Sequence, residues 1–160
     1  MDKFNWPGWK TVQLIGSGSF GAVYEIQRED FGEIYSAALK VISVPQDKSE
    51  IQSLREEGMS DAEIRRYLYS SVEELVREFA IMAKMKATGN VVSYEDHKVL
   101  EHADRTGWDI LIKMELLHPL LSYAYEHPFA RRDVIRLGID ICKALELCQK
   151  YNIIHRDIKP

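Results

Sequence analysis

The chain has 160 residues, 46% hydrophobic and 29% charged, with 21 Lys plus Arg against 25 Asp plus Glu for a formal charge of −4. That composition belongs to a globular sequence of one domain or a little more, long enough to bury a core, and it excludes disordered and fibrous classes. The mild acidity argues against a strong electrostatic footprint for nucleic acid or an anionic membrane, and no uninterrupted apolar stretch reaches the length of a membrane span.

From Trp9 to Ile15 the residues alternate as a strand does, and Gly16-Ser17-Gly18-Ser19-Phe20-Gly21 then turns the chain into a second strand, Ala22 to Arg28. Asp30-Phe31-Gly32 closes a hairpin onto a third strand, Ile34 to Val44, which ends at Pro45. A long charged insertion occupies Pro45 to Ser70. Within it Ser60-Asp61-Ala62-Glu63 is a capping box with Met59 and Ile64 as a hydrophobic staple, predicting a short helix from Asp61 to Tyr69 that reads as a solvated cover for the sheet edge. Ser71-Val72-Glu73-Glu74 is a second capping box. It predicts a separate, longer helix in which Val72, Leu75, Val76, Phe79, Met82 and Ala83 recur at three- and four-residue spacing, ended by Gly89-Asn90. Two more strands follow, Val92 to Glu101 and Trp108 to Glu115, joined by a turn at Asp104-Arg105-Thr106-Gly107. After Pro119 come a short helix to His127 and a long one from Arg131 to Tyr151. Cys142 and Cys148, on different faces of that helix, are poor disulfide partners and read as buried thiols in a reducing compartment. Met1-Asp2-Lys3-Phe4 carries no basic leader before an apolar run, so a cytoplasmic setting is expected.

Gly16-x-Gly18-x-x-Gly21-x-Val23 has a spacing shared by dinucleotide-binding folds and by phosphate-binding hairpins. A dinucleotide fingerprint must open a helix, whereas Val23-Tyr24-Glu25-Ile26 continues as a strand, so the hairpin reading stands. Glycines suit it because backbone N–H groups must approach phosphate oxygens closely and a Cβ would stand in the way. No Gly-Lys-Ser/Thr follows, which excludes a Walker A loop. Lys40 sits in an apolar strand, between Ala37-Ala38-Leu39 and Val41-Ile42, where a charge needs a reason to be. It needs an acidic partner, and Glu78 is the best placed, three residues after Leu75 and four before Met82 beside the apolar ridge. Local pairing of Glu78 with Arg77 or Lys84 is the plainer alternative.

With His155-Arg156-Asp157-Ile158-Lys159-Pro160 at the end of the chain, these motifs stand in the order found in one family: the chain resembles a eukaryotic-type protein serine/threonine kinase. The resemblance implies an α+β, protein-kinase-like fold. Residues 1–117 would form an amino-terminal lobe, a five-stranded antiparallel sheet with a regulatory helix, and 118–160 the first helices of the carboxy-terminal lobe. It implies that ATP binds at Ile15, Gly16, Ser17, Gly18, Ser19, Phe20, Gly21, Val23, Ala38 and Lys40, with Met114 as gatekeeper and Glu115 and Leu117 meeting adenine through backbone groups. Asp157 would be the base taking the substrate hydroxyl proton and Lys159 would contact the transferred phosphate. Lys159 also marks serine/threonine rather than tyrosine specificity, so protein substrates with Ser or Thr are implied. The insertion and Tyr94-Glu95-Asp96-His97-Lys98 resemble most the kinases found in bacteria. The family's Mg²⁺ ligands, an Asn and the Asp of Asp-Phe-Gly, would lie beyond Pro160, so the chain reads as a fragment, inactive alone. A non-catalytic nucleotide-binding or interaction module derived from a kinase is the alternative.

The last long helix bears on the same point. Val134, Ile135, Leu137, Ile139, Ile141, Cys142, Ala144, Leu145, Leu147 and Cys148 surround nearly its whole circumference, the pattern of a buried helix. Each large apolar side chain left wet forgoes roughly 1.5–3 kcal/mol. Because the rest of the carboxy-terminal lobe implied by the resemblance is not encoded in this chain, an exposed apolar face is expected on this helix in a monomer.

Overall fold

Five strands, β1 (Lys10–Gly18), β2 (Gly21–Asp30), β3 (Glu33–Val44), β4 (Tyr94–Glu101) and β5 (Trp108–Met114), form one antiparallel sheet in the order β1-β2-β3-β5-β4. The structure is a computed structural model describing residues 4, 6–18, 20–85 and 89–154. Because side chains alternate across a strand, the register sorts the sheet into two faces. One carries Val23, Lys40, Ile112 and His97, aligned across four strands, with Ala38, Met114 and Tyr94 in the neighbouring row. The opposite face carries Ile26, Ala37, Leu39, Val41 and Leu111.

On the first face lies the larger core. Ile42, Val44, Tyr94, Trp108, Ile110 and Ile112 of the sheet pack against Ile64, Leu68, Val72 and Phe79 of one helix, α2 (Asp61–Lys84), which follows the short helix α1 (Lys48–Glu56). The expected break at Ser71 does not occur: α2 is continuous over 24 residues. The first capping box forms, with Ser60 N–H donating to Glu63 Oε2 at 2.8 Å and Glu63 N–H to Ser60 Oγ at 3.4 Å. The second is not used, because the hydroxyls of Ser70 and Ser71 instead donate back to the Tyr67 carbonyl, as serines inside a helix do. The apolar stripe decides it. Ile64, Leu68 and Val72 continue in phase into Phe79, so a break at Ser71 would sacrifice a shared buried face.

Nor is the insertion merely a solvated cover. Asp47 caps α1, accepting from Ser49 N–H at 3.0 Å, and Ile51, Leu54 and Met59 join the core beside Ile64 and Leu68. Its charged residues face water while Ile51, Leu54, Met59, Ile64 and Leu68, three to five residues apart, go inward, a pattern easily lost among so many charges.

After the sheet, α3 (Leu120–Glu126) and α4 (Arg131–Lys150) make few contacts with the other elements. Ile135, Ile139, Ile141 and Leu145 of α4 are 54%, 50%, 42% and 40% exposed, and Leu137 is half-buried, so the expected apolar face is present. Of the two cysteines expected in the core, Cys148 is buried but Cys142 is exposed, because no other described element covers its side of α4.

Candidate active site

The glycine segment sits where two strands meet. β1 and β2 stay paired up to Gly18 and Gly21, so the chain passes from strand to strand as the hairpin reading requires. The glycines differ in what constrains them. Gly21 has φ +104° and a Cβ there would collide with the Val41 carbonyl, whereas at Gly16 and Gly18 a Cβ would meet no atom of the other described residues within 4 Å. Packing thus explains Gly21, while Gly16 and Gly18 border open space in front of the hairpin. Ile15 and Phe20 are exposed, at 43% and 64%, and Ser19 lies outside the described residues.

Val23 pairs with Lys40 across β2 and β3, and Ala38, two residues before Lys40, pairs with Met114 of β5. Ala38 is buried while Lys40 is half-buried, a cation on the face that carries the larger apolar core. Burial therefore lowers the Lys40 pKa below the ordinary lysine value of 10.5, partly offset by the carboxylate of Glu78, which raises it. Glu78 is the acid whose charge acts on Lys40, yet the two are not in ion-pair contact. Val72 and Phe79 hold α2 on the sheet and leave Glu78 on its exposed side. Among the described residues Glu78 is not ion-paired with Arg77 or Lys84 either.

β5 ends at Met114, which packs against the larger core. The next residue is held twice: Glu115 N–H donates to the Ser93 carbonyl at 3.1 Å, and its carboxylate accepts from Ser93 N–H at 2.6 Å. Among the described residues, neither the Glu115 carbonyl nor the Leu117 N–H is used in a backbone hydrogen bond. A strand-end segment is thereby fixed beside Ala38 and Met114 with an acceptor and a donor to spare.

A glycine hairpin, a half-buried lysine within the field of a helix carboxylate and a pinned segment after β5 thus lie on one face of the sheet. The model of the protein kinase domain matches residues 9–160. The chain belongs to the protein kinase domain family. Among its relatives are the serine/threonine-protein kinase AKL1 of Saccharomyces cerevisiae, 24% identical over 94% of this chain and 13% of the relative; the human cyclin-dependent kinase-like 2, 26% identical over 95% of this chain and 26% of the relative; and the calcium-dependent protein kinase 14 of Arabidopsis thaliana, 25% identical over 95% of this chain and 24% of the relative. The chain spans about a quarter or less of the length of these three kinases.

For a member of the kinase family the sheet and helices are those expected. His155, Arg156, Asp157 and Lys159 lie outside the described residues. Two features had no clear sequence signal. The clasp between Ser93 and Glu115 joins residues that no periodicity relates, and the resemblance gives Glu115 a role only through its backbone. The other is an aromatic segment before β1, Trp6-Pro7-Gly8-Trp9, whose turn residues and paired tryptophans were visible but whose docking face was not.

Proposed function

We propose that this chain provides the ATP site of a protein serine/threonine kinase, which transfers the γ-phosphate to Ser or Thr hydroxyls of proteins. The observation that carries the proposal is the alignment of Gly16, Val23 and Lys40 across adjacent strands with Glu78 as the acid acting on Lys40. Backbone N–H groups of Gly16, Ser17, Gly18, Ser19, Phe20 and Gly21 approach the phosphates, where the bare Cα atoms of Gly16 and Gly18 leave room. Lys40 places its ammonium against phosphate oxygens, and approach of Glu78 orients it. Ile15, Val23 and Ala38 cover the adenine, Met114 bounds the cleft, and the Glu115 carbonyl and Leu117 N–H meet the base.

In the same proposal Asp157 accepts the hydroxyl proton and Lys159 steadies the moving phosphate, as the resemblance of His155–Pro160 implies. Much of the rate enhancement then comes from positioning and fixed charge. ATP fits the residues present. Mg²⁺, which supplies charge neutralisation to the phosphates in this family, finds no group of His, Cys, Asp and Glu among the described residues that could hold it, so no step is assigned to it here.

The division into an amino-terminal lobe, 1–117, and the start of a carboxy-terminal lobe, 118–160, belongs to the same reading, as does likeness to bacterial kinases, for which the insertion is the support. A cytoplasmic setting belongs to the same reading. No described helix is long and apolar enough to cross a membrane. The test is transfer of labelled phosphate from ATP to proteins by the protein that carries this chain. Label on Ser or Thr, lost in Asp157→Asn, is the expected result. Nucleotide binding without any transfer would support the non-catalytic module instead.

A further inference from the structure

We propose that Trp6 and Trp9 are positioning residues for the nucleotide cleft, bracing the glycine hairpin from the opposite face of the sheet. The inference rests on the cleft reading above. Trp6 is 6% exposed and packs in one cluster with Ile26, Ala37, Leu39, Val41 and Leu111. Each of these strands turns its next residue to the cleft: Leu39 lies between Ala38 and Lys40, and Leu111 precedes Ile112.

The segment is itself shaped for the role. Trp9 N–H donates to the Trp6 carbonyl at 2.9 Å across a turn in which Gly8 has φ +78°, so both indoles are set by one short loop. Three strands then hold those indoles through cations. Lys113 of β5 lies 4.6 Å from the Trp9 ring centre and Arg28 of β2 lies 5.3 Å from it, while Lys98 of β4 lies 4.9 Å from that of Trp6. Trp9 is therefore gripped by β2 on one side and by β5 on the other, across β3. Glu95 steadies Lys113 at 3.0 Å, and Phe4 meets the ring of Tyr24, the residue after Val23, with ring centres 5.9 Å apart.

The hairpin has little other tertiary support. Among the described residues α2 packs chiefly on β3, β4 and β5, and Val12, Leu14 and Ile15 of β1 are 51%, 54% and 43% exposed. Pairing with β3 fixes one edge of the hairpin; the aromatic segment fixes its tilt. Losing it leaves the sheet paired but frees the glycine segment to swing away from Lys40.

The test compares Trp6→Ala with Ile51→Ala, which empties a buried site in α1 far from the hairpin, by ADP titration and by amide exchange in the intact chain. Trp6→Ala is expected to weaken ADP binding roughly three- to tenfold, the size of coupling transmitted through packed side chains. It should also speed exchange in β1 and β2 while β4 and β5 stay protected, with Trp6→Phe restoring most of the affinity. Ile51→Ala should lower stability and leave the affinity of the folded protein unchanged. Should Trp6→Ala fail to fold, Trp9→Ala carries the same expectations. Equal losses of affinity in the Trp and Ile51 variants, or wild-type affinity and hairpin exchange in the Trp variants, would overturn the proposal. A wild-type chain that binds no ADP would count against the cleft reading alone, since exchange in the hairpin still reports on the brace.

Discussion

Gly18 and Gly21 are separated by two residues and answer to different forces. At Gly21 both the positive φ and the Val41 carbonyl forbid a side chain, so Gly21→Ala should cost about 2 kcal/mol or more in urea unfolding. Gly18→Ala should stay within about 0.5 kcal/mol of wild type, as a substitution in open surroundings does. Lys40 supplies a second residue-scale test, with a definite sign. Its pKa is lowered on folding by burial, so the protonated side chain carries a cost that is fully present below its folded pKa and is relieved as pH rises towards 10.5. Lys40→Met should thus melt at a higher temperature than wild type at pH 7, and the gap should narrow in alkaline solution. A Lys40→Met protein that melts lower at pH 7 would contradict this account. The glycines and the lysine were legible in the sequence because each breaks a local rule. The Ser93–Glu115 clasp breaks none, and only the fold brings it together.

At the scale of elements, α2 shows how a strong local signal loses to a longer one. Ser71-Val72-Glu73-Glu74 has the residues of a helix start, but the stripe through Leu68, Val72 and Phe79 buries a face that only an unbroken helix presents to the sheet. Glu73→Pro distinguishes the two arrangements. In the first turn of a separate helix proline is tolerated, whereas inside a continuous one it removes a hydrogen bond and clashes with the preceding turn, costing about 3 kcal/mol or more. Denaturant unfolding is expected to show the larger loss. The strands were readable throughout, because alternation and turn residues are local. α1 was not, since one buried Ile51 among charged neighbours leaves little periodic signal.

For the whole molecule, the sheet separates two tasks: one face holds Lys40 and the α2 core, the other is closed by Trp6. Beyond the sheet, α4 turns Ile135 and Ile139 to water. Its all-round apolar pattern was legible, whereas which of its sides the rest of the chain covers depends on tertiary placement. Ile139→Glu should shift stability by no more than about 0.5 kcal/mol, against about 2–5 kcal/mol for Leu111→Ala in the sheet. Equal losses would mean that the α4 face is covered in solution. The proposed function stands on the nucleotide cleft, and calorimetric titration of ADP into wild type and Lys40→Met tests it most directly. One ADP should bind per wild-type chain, with affinity falling at least about tenfold in Lys40→Met as its charged contact to phosphate is lost. An affinity unchanged by the substitution, or no binding by the folded wild-type chain, would contradict it.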